Sequence, residues 1–171
     1  MGDIEGAYSL VITSPTKMIA VRDPSGFRPL CYGETENGDH VIASETCALY
    51  AVGAKWVKDL EPGEMLVFDE KGVTSRREYC GRLPKHICIF EYIYFARNDS
   101  VMDGIEIHDA RVNAGRALAR KSQVDADIVW GVPDSGLAAA EGYALESGIP
   151  FALAFHKNSY IGRSFIKPTI A

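Results

Sequence analysis

The sequence predicts two unlike halves, an α+β half built on antiparallel strands and then an α/β half. Three observations predict this. Residues 7–79 hold short runs rich in apolar and β-branched residues, separated by Pro and Gly turns. The pattern changes across residues 80–85, where Gly81 and Pro84 mark a candidate linker. Beyond it, a helical pattern, an apolar run, a tight loop, a second helix and another apolar run follow one another, ending in the order of a βαβ unit.

Each element has its own cause. Residues 7–13 and 17–22 read as strands joined through Ser14-Pro15-Thr16. Asp23-Pro24-Ser25-Gly26 is a turn, because Pro presets φ early in it and Gly accepts φ > 0 later. Residues 28–32 and 40–44 read as strands around a polar connection. A short helix is expected over 45–52 with Ser44 as its N-cap. Glu61-Pro62-Gly63-Glu64 feeds a strand over 65–68, and Lys71-Gly72 turns into another over 73–79. Residues 87–95 are apolar but of ambiguous type, and 96–104 read as a polar loop. Residues 108–122 carry Ala110, Ala114, Ala117 and Leu118 at helical spacing, a small face suited to close packing on a sheet. Residues 126–132 are a compact apolar run, as in a buried parallel strand. A loop over 131–136, a helix over 137–147 with Gly148 as its C-terminal stop, and a strand over 151–155 complete the unit. The basic tail from 156 to 171 reads as a mobile loop. Neither half has enough elements to close a core, since one strand pair and one crossover helix do not bury both faces of a parallel sheet.

Of the 171 residues, 47% are hydrophobic and 24% charged, with a net charge of -5. That balance argues against disorder. The absence of a Lys/Arg block argues against nucleic acid as partner. No apolar run approaches the length of a membrane span, and the first residues lack the pattern of a signal peptide. The four cysteines, Cys31, Cys47, Cys80 and Cys88, form no C-x-x-C pair, so a reducing, cytoplasmic setting is expected.

Three stretches carry chemistry. Residues 22–30, Arg-Asp-Pro-Ser-Gly-Phe-Arg-Pro-Leu, read on spacing alone as a turn flanked by a surface ion pair. The second stretch is Gly131-Val132-Pro133-Asp134-Ser135-Gly136. A loop between a strand end and a helix N-terminus suits an anion, because the helix dipole favours negative charge there. Ser135 offers a hydroxyl and a possible N-cap, and Asp134 a carboxylate for a hydrated Mg²⁺. A plain helix cap with no ligand is the simpler reading. The third stretch, 157–168, places Lys157, Tyr160, Arg163 and Lys167 around Gly162. It is either a solvated basic loop or a clamp for phosphate oxygens.

Taken in order, residues 22–30, then Glu91-Tyr92-Ile93-Tyr94-Phe95-Ala96-Arg97, then 131–135, then 157–168, this chain resembles the glutamine phosphoribosylpyrophosphate amidotransferase family along essentially its whole length. The resemblance implies the C-terminal part of an Ntn-hydrolase (αββα) glutaminase domain over 1–82. It implies the N-terminal part of a type I phosphoribosyltransferase domain over 83–171. It implies the conversion of phosphoribosyl pyrophosphate and glutamine to 5-phosphoribosylamine, glutamate and pyrophosphate in purine synthesis. It further implies Mg²⁺ as cofactor, purine nucleotides as inhibitors and a homo-oligomer in the full-length enzyme.

By matching position, Pro133, Asp134 and Ser135 are the pyrophosphate loop, with Ser135 near the Mg²⁺. Lys157, Tyr160, Arg163 and Lys167 belong to the flexible loop that closes over the sugar phosphate. Tyr94, Arg97 and Asp99 lie near the border of the two active sites. Cys88 matches a ligand of a [4Fe–4S] cluster found in some members. The family's nucleophile is a cysteine at the mature N-terminus, and no Cys precedes Cys31 here. The expectation is therefore an internal fragment with no catalytic residue of its own and no activity alone. Asn98 stands where the family usually has Pro, and Ser159 where many members carry a basic residue. Residues 22–30 also fit asparagine synthetase, but no Ser-Gly-Gly-x-Asp-Ser loop is present. The alternative from another class is a non-catalytic fragment binding phosphate or a nucleotide through Ser135 and the basic tail.

Overall fold

The computed structural model of the chain describes residues 1–162. It contains two compact units, Met1–Ala110 and Arg111–Ala171. Residues 83–110 therefore pack with the first unit, whereas the composition change lies at 80–85. The cause is a small core of Ala96, Met102 and Ile107, with Tyr92 against it, which belongs to the first unit.

The first unit is a stack of two antiparallel sheets. One has the order β1 (Ser9–Thr13), β2 (Met18–Arg22), β6 (Met65–Asp69), β7 (Gly72–Arg76). The other has β4 (His40–Ala43), β3 (Cys31–Glu34), β5 (Lys55–Asp59). Strand alternation divides the side chains between layers. Ala20, Leu66 and Phe68 from the first sheet meet Leu30, Tyr32 and Leu60 in one buried cluster. On the far side of the second sheet, Cys31 packs with Leu49 and Ala54 beside α1 (Thr46–Ala51). The far side of the first sheet carries Leu10 and Ile12, which are exposed. Register places Ile19 and Val67 on that same face.

Several elements differ from expectation for local reasons. α1 starts one residue late, and its N-cap is Glu45 rather than Ser44. β5 was not foreseen: Lys55-Trp56-Val57-Lys58-Asp59 is mostly charged at its ends and shows no clean alternation. It forms because β3 supplies its backbone partners, across a bulge at Tyr32/Gly33. The apolar stretch 87–95 contains a single π-helical turn, Glu91–Phe95. The polar loop 96–104 contains half of a small hairpin, β8 (Val101–Met102) with β9 (Ile105–Glu106), turned at Asp103-Gly104. Asp-Gly between apolar residues is a strong two-residue hairpin signal, and Asp103 takes φ 49°.

In the second unit the helices are α2 (Ile107–Lys121), which begins within the first unit, and α3 (Gly136–Ser147). The face of α2 that packs against α3 carries Val112 and Gly115, whereas Ala114, Ala117 and Leu118 of the expected small face are exposed. A Cβ on Gly115 would stand 1.9 Å from the Ala139 carbonyl oxygen, and one on Gly142 would stand 2.0 Å from that of Val112. The strands expected over 126–132 and 151–155 shrink to one parallel bridge, Val129 to Phe151. Val129 N–H donates to Pro150 O at 2.8 Å, and Ala152 N–H donates to Val129 O at 3.0 Å. A lone parallel pair lacks the flanking strands and covered faces that parallel sheets need, so the ladder does not lengthen.

Candidate functional site

The anion-type loop follows the Val129 bridge and ends at the N-terminus of α3. Gly131 is buried, and a Cβ there would stand 2.4 Å from Gly136 O, so the loop closes on itself only with Gly. Gly136 N–H donates to Val132 O at 3.1 Å and Leu137 N–H to Asp134 O at 3.4 Å. The Pro133–Asp134 peptide is cis. Ser135 occupies the N-cap position, but its hydroxyl makes no capping bond. The Asp134 carboxylate is exposed and pairs with the Lys157 ammonium. The loop and the start of the basic tail are therefore joined by an ion pair. A single exposed carboxylate with a neighbouring hydroxyl fits Mg²⁺, which keeps several waters and takes few protein ligands.

Tyr160 is fully exposed, and its N–H donates to Asn158 Oδ1 at 3.0 Å. No helix or strand forms over 156–162. Arg163, Lys167 and the rest of the tail lie outside the described residues. Two hollows lie away from the loop. One of about 370 Å³ is lined by Leu118, Ile128, Trp130 and Tyr143, and one of about 450 Å³ by Met1, Ser25, Tyr79 and Arg82. Neither includes Asp134, Ser135 or Lys157.

The second region is the segment 91–103. Tyr94 and Phe95 are exposed, and the Arg28 guanidinium lies 5.1 Å from the Phe95 ring centroid. Arg97 and Asp99 are exposed and pair with each other at 2.7 Å. Arg28 also donates to Glu91 Oε1 at 2.5 Å. Burial pushes the Glu91 carboxyl up, and the Arg28 charge only partly offsets it.

Arg22 is the largest correction to the expected surface ion pair. It is 1% exposed, and its guanidinium forks onto Asp103 at 3.0 and 3.1 Å. It also donates to the carbonyls of Leu60, Gly26 and Arg28. Lys85 reaches the same carboxylate at 3.1 Å. Burial alone would raise the Asp103 pKa, but Arg22 and Lys85 hold it below its ordinary value. Asp23 has no exposure either, and its carboxylate accepts from the Ser25 and Phe27 amides at 2.9 and 3.0 Å. The stretch 22–30 is thus a rigid scaffold turn. Sequence reasoning missed Asp103 as the partner of Arg22. The Asp-Gly dipeptide was the signal that could have marked Asp103.

Neither Cys31 nor Cys80 is an activated nucleophile. Burial pushes Cys31 up to about 12, and Cys80 is raised as well. Among the described residues no group of three or more His, Cys, Asp or Glu could hold a metal, so those residues do not build a cluster site around Cys88. Among them, too, no helix is long and apolar enough to cross a membrane.

A stacked-sheet unit and a helical unit carrying the 131–136 loop have counterparts among solved structures. A solved structure of the allosteric regulatory enzyme of purine biosynthesis matches at TM-score 0.87 and 49% identity, over 96% of this chain and 35% of that one. More particularly, the relatives are amidophosphoribosyltransferases. That of Bacillus subtilis is 48% identical over 168 residues, 98% of this chain and 35% of its own length. That of Mycobacterium tuberculosis is 49% identical over 166 residues, 97% of this chain and 31% of its own. The glutamine phosphoribosylpyrophosphate amidotransferase of B. subtilis complexed with ADP and GMP matches at TM-score 0.87 and 48% identity, over 96% of this chain and 36% of that one. No family model matches the chain. The chain is similar along nearly its whole length to amidophosphoribosyltransferases and spans about a third of theirs.

Proposed function

We propose that this chain is a segment of an amidophosphoribosyltransferase, the enzyme that makes 5-phosphoribosylamine, glutamate and pyrophosphate from phosphoribosyl pyrophosphate and glutamine. The observation that carries the reading is 48% identity sustained over 98% of the chain. On this reading residues 1–82 belong to a glutaminase part of αββα type and 83–171 to a type I phosphoribosyltransferase part. Supporting the first are α1, two stacked sheets and a bare apolar face, which make three layers and a seat for a fourth. Supporting the second is a tight loop between a parallel bridge and a helix N-terminus.

The chemistry follows from the loop. Ser135 donates its hydroxyl to a phosphate oxygen, and the α3 N-terminus favours the diphosphate charge. Asp134 and Ser135 would hold Mg²⁺, and the ion would supply charge neutralisation for the leaving pyrophosphate. Lys157, held beside the loop by Asp134, turns to the phosphates when they enter, and Tyr160, Arg163 and Lys167 extend that clamp. Tyr94, Arg97 and Asp99 face the border of the two reactions. Cys88 ligates an iron–sulfur cluster only if other parts of the enzyme supply the remaining thiolates. Purine nucleotides are the inhibitors, the whole enzyme is a homo-oligomer, and its setting is the cytoplasm.

Calorimetric titration of the chain with phosphoribosyl pyrophosphate and with AMP tests this. Ser135→Ala is expected to weaken phosphoribosyl pyrophosphate binding by about 10- to 150-fold, the worth of one charge-assisted hydrogen bond. Asp134→Ala should weaken it only when Mg²⁺ is present. Equal binding of AMP, indifferent to both substitutions, would instead favour the non-catalytic reading. Glutamate release from glutamine by the chain alone is not expected, and observing it would overturn the expectation that the chain is inactive by itself.

A further inference from the structure

Glu45 stands at the N-cap of α1, yet its side chain makes no capping bond. Its Oε2 instead accepts from the Arg97 N–H at 2.8 Å and from Ser100 Oγ at 2.8 Å. Ser100 is 1% exposed. The next residue, Thr46, is buried, and its Oγ1 accepts from the Val101 N–H at 2.9 Å. Asp59, at the end of β5, accepts from the Asp103 N–H at 2.9 Å. Three side chains from residues 45–59 thus hold three backbone amides of 97–103. The Val101 and Asp103 amides are part-buried, and leaving such an amide without an acceptor costs up to about 1–3 kcal/mol, so these oxygens help to set the path of the segment. That path sets the start of α2: Ile107 N–H donates to Ser100 O at 3.0 Å and His108 N–H to Asn98 O at 3.1 Å. The first amides of a helix have no intrahelical acceptor, so the pinned loop caps α2.

We propose that Glu45 is a positioning residue: its carboxylate joins the 1–82 part to the 83–171 part by fixing Arg97 and Ser100, and so couples the two half-reactions. The functional half of this rests on the reading given under Proposed function, while the anchoring itself rests on geometry alone. Glu45 touches neither substrate. Its effect passes through the backbone of 97–100, on which the exposed Arg97 and Asp99 are mounted, and through the first turn of α2.

Two measurements test it. In the 171-residue chain, Glu45→Ala is expected to speed hydrogen exchange of the Arg97 amide by about tenfold or more while β2 amides keep their protection. Glu45→Gln retains an acceptor oxygen and should restore most of that protection, and it serves as the probe if the Ala variant fails to fold. Unchanged exchange at Arg97 in Glu45→Ala would overturn the anchor. For coupling, this chain replaces the matched third of the B. subtilis relative, and phosphoribosylamine formation is followed with glutamine and with ammonia. Glu45→Ala should lower the glutamine-supported rate about tenfold more than the ammonia-supported rate, with Glu45→Gln recovering most of it. Equal losses with both nitrogen sources, as from a merely structural role, or no loss at all, would overturn the coupling. If the unsubstituted enzyme makes no phosphoribosylamine even from ammonia, the functional reading fails and the coupling with it. The exchange result still decides the anchor.

Discussion

Asp103 shows how much one side chain can carry in the first unit. It receives the fork of a buried Arg22, accepts from Lys85, and turns the β8–β9 hairpin at positive φ. Its folded pKa lies below its ordinary 3.8, because Arg22 and Lys85 outweigh burial. A carboxylate depressed in this way adds stability in full above its unfolded value, and loses it as pH falls through the lower folded one. Glu64 acts in the same sense: burial would raise it, but Lys58, Ser75 and the Glu61 amide lower it. Glu91, pushed up by burial, acts in the opposite sense and favours the folded state as it protonates. Asp103→Asn should therefore cost about 3–5 kcal/mol near neutral pH, since it leaves the Arg22 charge buried and uncompensated. Thermal melts of the two proteins should converge as pH falls through the depressed Asp103 value, where its advantage is lost. A constant gap across pH would refute the ion-pair account. None of this was legible in the sequence, because Arg22 and Asp103 are 81 positions apart. The loop that carries Asp134 and Ser135 ahead of α3 was legible because its turn signals are local.

Elements were readable where their signals are local too. Both helices were expected within a residue or so of their observed bounds, since periodic small residues and Gly148 mark them. The packing face of α2 was misread: Ala114, Ala117 and Leu118 are exposed and the contact falls at Val112 and Gly115, for spacing shows that a face is small and not that a neighbour lies on it. At the α2–α3 contact two opposing effects can be weighed. Gly→Ala inside a helix gains about 1 kcal/mol in propensity. Here the new Cβ would stand 1.9 Å from a carbonyl oxygen at Gly115 and 2.0 Å from one at Gly142. Backbone must move to admit it, and forced overpacking costs about 1–3 kcal/mol, so the clash wins. Gly115→Ala and Gly142→Ala should each destabilise the α2–α3 pair by a net of about 0–2 kcal/mol, and the double variant by more, read as faster amide exchange in both helices. Slower exchange in either variant would show that the helices are not in backbone contact. β5 and the β8–β9 hairpin were missed for a different reason: their strands are short and depend on partners supplied from elsewhere.

For the whole molecule, two halves of different character were legible from composition, but the place where packing divides them was not. Residues 83–110 look like linker and loop in one dimension, and only folding brings Ala96, Met102 and Ile107 into a core. The stacked sheets bear on the last prediction. One outer face is covered by α1, and the other presents Leu10 at 37% and Ile12 at 54% exposure, with Ile19 and Val67 on the same face by register. β1 and β7 have only one neighbour each in that sheet, so its edges are also open. A contiguous apolar sheet face in water seeks a covering layer, and an isolated chain can find one only in another copy or in a probe. The 171-residue chain should therefore bind an apolar dye and show concentration-dependent association in sedimentation. Ile12→Lys puts a charge on the edge strand of the bare face without touching the Ala20, Leu66 and Phe68 core, so it should reduce dye binding by about half or more and shift the chain towards monomer at unchanged thermal stability. If Ile12→Lys unfolds the chain, or if dye binding and association do not change, the face is covered by something within the chain, and the seat for a fourth layer is lost from the argument.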